Sequence, residues 1–205
     1  MGAEHIEFLV EEPSAEEFLR NLLARFIPAT TTYDVHAFSG KSDLLRSLEP
    51  RLLGYSFWLP QSWRIVVLID RDDDDCLELK ATLEAAAARA GFASRTTSGG
   101  THWQLVNRIP IEELEAWYFG DWAAVGQAFP RVPAEIPAKA PYRDPDAVRG
   151  GTWEAFERIL QRSGYHLGGL RKIEAAREVA RWLDPPINRS QSFRVFWAAV
   201  EEAVA

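Results

Sequence analysis

A run of five apolar residues at positions 65–69 (IVVLI) limits the folds open to this chain more than any other feature. Apolar side chains at every position predict a strand that is buried on both faces, as in a parallel sheet covered by helices. An Ala-rich helical pattern at 77–90 follows and stops at Gly91, a residue typical of the position just after a helix. A buried strand followed by a helix indicates an α/β fold.

The same alternation continues along the first two-thirds of the chain. Strands are predicted at 5–10, 33–38, 65–69, 92–97 and 103–109, with helices at 16–26, 43–53 and 77–90. This order predicts an α/β core over 1–129 with a mainly parallel sheet flanked by helices. A Pro- and Gly-rich connector is predicted at 130–151. A helical C-terminal lobe over 152–205, with helices at 153–161, 170–183 and 193–204, completes the predicted organisation.

Composition excludes some classes of protein. The 205 residues contain no apolar run of the ~18 residues that a membrane span needs. The net charge of −7 does not suit a protein that coats nucleic acid non-specifically. Cys76 has no second cysteine to pair with, and no basic flank precedes an apolar segment at the N-terminus. We therefore expect a cytoplasmic protein.

Five aspartates lie within residues 70–75, directly after the predicted buried strand. Sites in parallel α/β sheets form outside the carboxyl ends of the strands. In extended backbone Asp70 and Asp72 point the same way and present oxygens to one point. Such hard ligands suit Mg²⁺ or Mn²⁺, so we interpret this pair as metal ligands. Asp74 or Asp75 is interpreted as the cap of the following helix, and Asp75 with Glu78 has capping-box spacing.

Two other acidic segments are candidates. Glu11 ends the first predicted strand, so it would converge with Asp70 if the two strands are neighbours. Ser14 and Glu17 have the spacing of a capping box, which predicts a structural role for Glu17.

A helix is also predicted at 110–118, with Pro110 at its first position. Glu113 and Glu115 lie in its first turn. The sequence leaves open whether they only stabilise the helix N-terminus through the helix dipole or belong to a functional site.

Basic residues are concentrated in the C-terminal lobe. Six basic and three acidic residues between positions 171 and 194 give a local charge of +3. Lys41, Lys172, Arg177 and Arg181 are candidate nucleic-acid contacts. For Arg177 and Arg181, four residues apart on one helix face, salt bridges on an amphipathic helix are the alternative.

A strand that ends in Glu and a later strand that ends in Asp-x-Asp resemble the Toprim domain of topoisomerases, primases and overcoming-lysogenization-defect nucleases. More narrowly, the chain resembles the Toprim-like domain-of-unknown-function family 4276. The similar segments are 10–14 (VEEPS), 40–45 (GKSDLL), 70–76 (DRDDDDC) and 113–117 (ELEAW), with Lys172 and Ser192-Phe193 fitting the C-terminal pattern. The resemblance implies a Toprim or Rossmann-like fold.

The resemblance also implies roles for these residues. Glu11 would be the proton-transfer residue, Asp70 and Asp72 would hold Mg²⁺ or Mn²⁺, and Glu115 and Glu113 would join the metal site. The family usually has Gly after the first Glu, where this chain has Glu12.

The implied activity is metal-dependent hydrolysis of DNA or RNA. The implied partner is an AAA or ABC-type ATPase, in defence against phage or plasmid DNA. The alternative is a non-catalytic partner or sensor subunit of such a complex, and a homodimer is also compatible with the sequence.

Overall fold

The computed structural model describes residues 2–148 and 150–205. Over these residues the chain forms a parallel sheet of four strands in the order β2-β1-β3-β4. The strands are β1 (His5–Val10), β2 (Thr32–Ala37), β3 (Trp63–Leu68) and β4 (Leu105–Arg108). The predicted α/β class with a parallel sheet is therefore confirmed.

Eight α-helices accompany the sheet within the described residues. They are α1 (Pro13–Phe26), α2 (Lys41–Ser56), α3 (Cys76–Arg89), α4 (Glu115–Gly120), α5 (Trp122–Ala128), α6 (Thr152–Arg162), α7 (Lys172–Ala180) and α8 (Gln191–Val204). Local signals explain several ends. Pro13 opens α1, where a missing N–H costs nothing, and the Asp75 carboxylate accepts the Leu77 and Glu78 N–H groups at the start of α3. The predicted Asp75 cap is thus confirmed.

Alternate residues of the strands pack into two apolar clusters on opposite faces of the sheet. Phe8 and Val66 face a cluster with α1, α4 and α6–α8, which holds most of the aromatic residues. Leu9 and Val67 face a smaller cluster with α2 and α3. Both faces are covered, which accounts for the continuous apolar run that the sequence places in β3.

The C-terminal helices belong to the larger cluster. Phe156 of α6, Val179 of α7 and Phe196 of α8 are buried there with residues of β1 and α1. The connector adds Val132 and Ile136 to the same cluster and contains 3₁₀ turns at Ile136–Ala138, Ala140–Tyr142 and Pro145–Ala147. No helix in the described ranges has the length and apolarity of a membrane span.

Three local predictions are wrong. The segment 92–97 is not a strand, because only Ser94 bridges to Leu105. The helix expected from Pro110 begins only at Glu115, since Glu112 adopts a left-handed backbone with φ of 65°.

The third is the Ser14 capping box. Ser14 lies inside α1 and donates to Glu12, and the Glu17 carboxylate accepts from Arg177.

Candidate functional site

The carboxyl ends of β1 and β3 bring two acidic residues together. The strands are direct neighbours, and Val10 is in register with Leu68. Glu11 follows one strand, and Asp70 lies two residues beyond the other. The Asp70 backbone N–H donates to Glu11 Oε2 over 3.1 Å. The expected meeting of Glu11 and Asp70 is therefore present in the structure.

Both carboxyl groups are perturbed by their surroundings. Burial raises the pKa of Glu11 to about 7, with the Asp70 N–H working against this rise and the Asp72 charge adding to it. Burial also raises the pKa of Asp70 well above its usual range, and the charges of Glu11 and Glu115 add to the effect. Acids that raise one another's pKa in this way bind a proton or a cation readily.

Glu115 supplies a third carboxylate from a different part of the chain. It is the first residue of α4 and only 1% exposed. Its Oε2 has no hydrogen-bond partner among the described residues. Burial raises the pKa of Glu115 to about 7, and Lys172 opposes the rise. Glu11, Asp70 and Glu115, which we call the acidic centre, thus come from three separate elements.

Glu113 makes a structural contact. Its Oε2 accepts the Thr152 hydroxyl over 2.9 Å and the Trp153 N–H over 3.0 Å, at the start of α6. This carboxylate therefore closes the N-terminus of α6, as a capping residue does. The predicted metal role of Glu113 stays a prediction.

Asp72 does not lie beside Asp70 in extended backbone, so that geometric expectation is wrong. The chain turns at Asp72, which has φ of 48°, and its N–H donates to the Glu112 carbonyl over 2.8 Å. The turn directs its carboxylate to Lys41, with Nζ at 2.7 Å from Asp72 Oδ2 and 2.8 Å from Asp74 Oδ2. Asp74 is therefore an ion-pair partner, and only Asp75 caps α3.

The other basic candidates also have acidic partners. Arg177 lies 2.6 Å from Glu17 and connects α7 to α1, while Arg181 lies 3.0 Å from Glu178 on its own helix. These are the salt bridges of the alternative interpretation, and phosphate contact stays a prediction.

Lys172 occupies a different environment, close to the acidic centre. Its Nζ lies 3.9 Å from Glu12 Oε1. Burial works to lower the pKa of Lys172, but the charges of Glu115 and Glu12 outweigh it and the pKa is raised.

An open cleft of about 740 Å³ lies between the N-termini of α1 and α7, and Glu12, the neighbour of Glu11 in the sequence, is part of its lining. Glu12 and Ser14 line one side. The other side is lined by charged residues of both signs: Arg171, Lys172, Glu174, Arg177 and Glu178. The cleft gives solvent a route to the neighbourhood of Lys172, and its α7 wall carries three basic and two acidic side chains.

The donor chemistry of the acidic centre fits a hard divalent cation. Three carboxylates with raised pKa values and one orphaned oxygen, Glu115 Oε2, suit Mg²⁺ or Mn²⁺. In the described part of the chain, however, no three His, Cys, Asp or Glu side chains form a complete ligand group. The oxygen ligands are of the type that the cation prefers. The side chains would have to rotate to bring a complete set of ligands together.

One residue of this region is absent from the sequence-based candidates. Tyr118 is 1% exposed, and its hydroxyl has no hydrogen-bond partner in the described residues. Burial raises the pKa of Tyr118 well above its usual range, and the charge of Glu115 adds to the rise. The sequence feature that could have identified Tyr118 is its spacing of three residues from Glu115, because residues three apart share a helix face.

The fold and these contacts define a class: a parallel α/β protein with half-buried carboxylates at the carboxyl edge of its sheet. The family model described as "Domain of unknown function (DUF4276)" matches residues 10–201. The chain belongs to this family, as its sequence motifs indicated. Comparisons with curated proteins and with solved structures find no match to this chain.

Proposed function

We propose that the protein is a Mg²⁺- or Mn²⁺-dependent nuclease that hydrolyses phosphodiester bonds in DNA or RNA. The observation that carries this proposal is the meeting of Glu11 and Asp70 at the carboxyl edge of the sheet, where the charge of Glu115 also acts on Asp70. A phosphodiester is an anion, so carboxylates alone would repel it. A divalent cation reverses the local charge, and such a cation supplies polarisation of the phosphoryl oxygen and activation of water.

The residues of the chain divide the remaining work. Asp70 and Glu115 would hold the cation, because each has a raised pKa and, among the described residues, neither carboxylate is neutralised by a close ion pair. Glu11 would transfer the proton, since a pKa of about 7 suits both release and uptake near neutral pH. Asp72 would join the ligands only by leaving Lys41.

The cleft between the N-termini of α1 and α7 supports an anionic substrate. Lys172 and Arg177 lie on one wall and would face a phosphate backbone. Arg177 is engaged by Glu17, and Glu174 and Glu178 share the same wall, so Lys172 is the main basic contact that the cleft offers. From the resemblance to Toprim nucleases we further propose an AAA or ABC-type ATPase partner, a role in anti-phage or anti-plasmid defence, and a cytoplasmic location.

A nicking assay tests the proposal. Supercoiled plasmid and single-stranded RNA are incubated with the protein and Mg²⁺ or Mn²⁺, alongside Asp70→Asn and Glu11→Gln. We expect cleavage by the wild type that both substitutions reduce at least about 100-fold, since each removes a group in direct contact with the reaction. The matched control is Asp73→Asn, an exposed neighbour in the same loop. Cleavage that survives both substitutions, or no cleavage of either substrate by the wild type, would contradict the proposal.

A second candidate is a non-catalytic subunit of the same ATPase complex. It is favoured by the two lysines, because Lys41 pairs with Asp72 and Lys172 lies near Glu12, so the chain neutralises part of its own acidic charge. Calorimetry separates the candidates. Binding of Mn²⁺ that Asp70→Asn abolishes favours the nuclease, and absence of binding favours the subunit.

A further inference from the structure

Two buried oxygens on α4 lack partners. Glu115 Oε2 and the Tyr118 hydroxyl are the atoms concerned, and among the described residues neither has a hydrogen bond. Both residues are 1% exposed. They are three positions apart on one helix, so their side chains lie on the same face. Unsatisfied groups of this kind are rare in folded proteins and call for a physical reason.

The ring of Tyr118 is fixed by aromatic neighbours. Its centroid lies 5.8 Å from that of Phe18 and 5.2 Å from that of Phe156. A phenylalanine at position 118 would make these contacts equally well. The hydroxyl therefore adds nothing to the packing, and burial without a partner makes it destabilising.

The hydroxyl is close enough to the acids of the site for their charges to act on it. The charges that act on it come from Glu115, Glu12 and Asp70. A hydroxyl can donate one hydrogen bond, and an ionised carboxylate accepts several. Donation to a carboxylate becomes favourable when that carboxylate is ionised and held by a cation.

We propose that Tyr118 is a positioning residue for Glu115, whose carboxylate its hydroxyl orients toward a bound divalent cation. This inference rests on the proposed function, since it assumes that Glu115 binds the cation. Ligating carboxylates are commonly held by a further hydrogen bond, and loss of such a bond weakens metal binding by ~10- to 100-fold.

Tyr118→Phe tests the inference by two measurements that do not depend on cleavage. Titration calorimetry with Mn²⁺ alone should show affinity weakened ~10- to 100-fold relative to wild type. Thermal melting without metal should show stability equal to or above that of wild type, because an unsatisfied buried hydroxyl is removed. Tyr142→Phe is the matched control: Tyr142 stacks on Phe119 with centroids 5.5 Å apart, and this variant should bind Mn²⁺ like wild type.

The outcomes separate this inference from the proposed function. If wild type binds Mn²⁺, Asp70→Asn does not, and Tyr118→Phe binds within twofold of wild type, the inference is wrong and the proposed function stands. A metal-free Tyr118→Phe protein that melts several degrees below wild type would also overturn it, since the hydroxyl would then support the fold. Absence of Mn²⁺ binding by wild type would overturn both.

Discussion

The two sides of the site region handle negative charge in opposite ways. On the side of the loop after β3, Asp72 and Asp74 are exposed, and both lie within 2.8 Å of Lys41 Nζ. On the side of α4, Glu115 is buried, and one of its oxygens has no partner in the described chain. The exposed acids are neutralised by a lysine, whereas the buried acid needs a proton or a cation from solution.

The energetic consequences of the two arrangements differ. A salt bridge whose carboxylates are solvated contributes on the order of 1 kcal/mol. Asp72 and Asp74 are solvated in this way, although the Lys41 side chain between them is only 17% exposed. An ionised carboxylate that is buried without a full partner is destabilising by several kcal/mol. The capacity to bind a cation therefore lies mainly on the side of Glu115, and substitutions on the two sides should have unequal effects.

The largest difference is expected between Glu115→Gln and Asp72→Asn. Glu115→Gln should weaken Mn²⁺ binding by more than about 100-fold, beyond the loss typical of a supporting residue. Asp72→Asn should weaken it by no more than about tenfold, since Asp72 is engaged by Lys41. Titration calorimetry measures both. Equal losses would show that Asp72 leaves Lys41 to bind the cation. They would contradict the conclusion that cation binding depends mainly on Glu115.

A pH dependence of stability is expected next. Burial raises the pKa of Glu115 to about 7, so between about pH 4.5 and 7 the folded protein holds a proton that the unfolded chain releases. The free energy of unfolding of the metal-free protein should therefore fall as pH rises through this window, by roughly 3 kcal/mol from this group.

Urea unfolding at pH 5 and pH 8 measures this effect as the difference between wild type and Glu115→Gln. The comparison with the variant is needed because other groups also titrate. The raised pKa values of Glu11 and Asp70 add to the fall in stability as pH rises, whereas burial lowers the pKa of His166, so the stability from that group is lost as pH falls. Asp73→Asn serves as the matched control and should keep the wild-type difference, since this exposed residue does not act on the pKa of Glu11, Asp70 or Glu115. A variant that loses as much stability as wild type between the two pH values would contradict the assignment.

The sequence was sufficient for the framework of the site. Apolar strands that alternate with helices predict a parallel sheet, and residues that follow neighbouring parallel strands must share an edge. Glu11 and Asp70 could therefore be placed at one edge from the sequence. Their meeting also required β1 and β3 to be neighbours, and the strand order of the structure shows that they are. The Asp75 cap was also predictable, because a cap depends only on residues two and three positions away.

Contacts between distant segments were not predictable in this way. The turn at Asp72 depends on the Glu112 carbonyl and on Lys41, which lie about 40 and 30 residues away. Glu113 is engaged by α6, a helix that starts after the connector. Neither contact has a local sequence pattern. The acids could therefore be named as candidates, but the sequence could not tell which of them are held in hydrogen bonds or ion pairs by other segments.

A smaller effect, of opposite sign on the two sides, is expected for the lysines. Lys172→Met removes a positive charge that acts on Glu115, so Mn²⁺ affinity should rise by on the order of tenfold. Lys41→Met should lower it by a similar factor, because Lys41 holds the loop after β3 through Asp72, Asp74 and the Arg71 carbonyl. Calorimetry of both variants checks the signs. A fall in affinity for Lys172→Met would mean that this lysine supports the bound state.

The smallest effect is expected for Arg177→Met. This substitution tests whether an ion pair outside the acidic centre contributes as little as the pairs of Lys41 with the exposed aspartates. The guanidinium lies 2.6 Å from Glu17, and its side chain is 42% exposed. Because water screens such a pair, the melting temperature should fall by no more than about 3 °C, and less in high salt. Mn²⁺ affinity should stay at the wild-type value, since the described contacts of this pair do not include the acidic centre. A large loss of affinity would show that α7 must be held against α1 for the acidic centre to form. Cation binding would then depend on the packing of these helices as well as on the burial of Glu115.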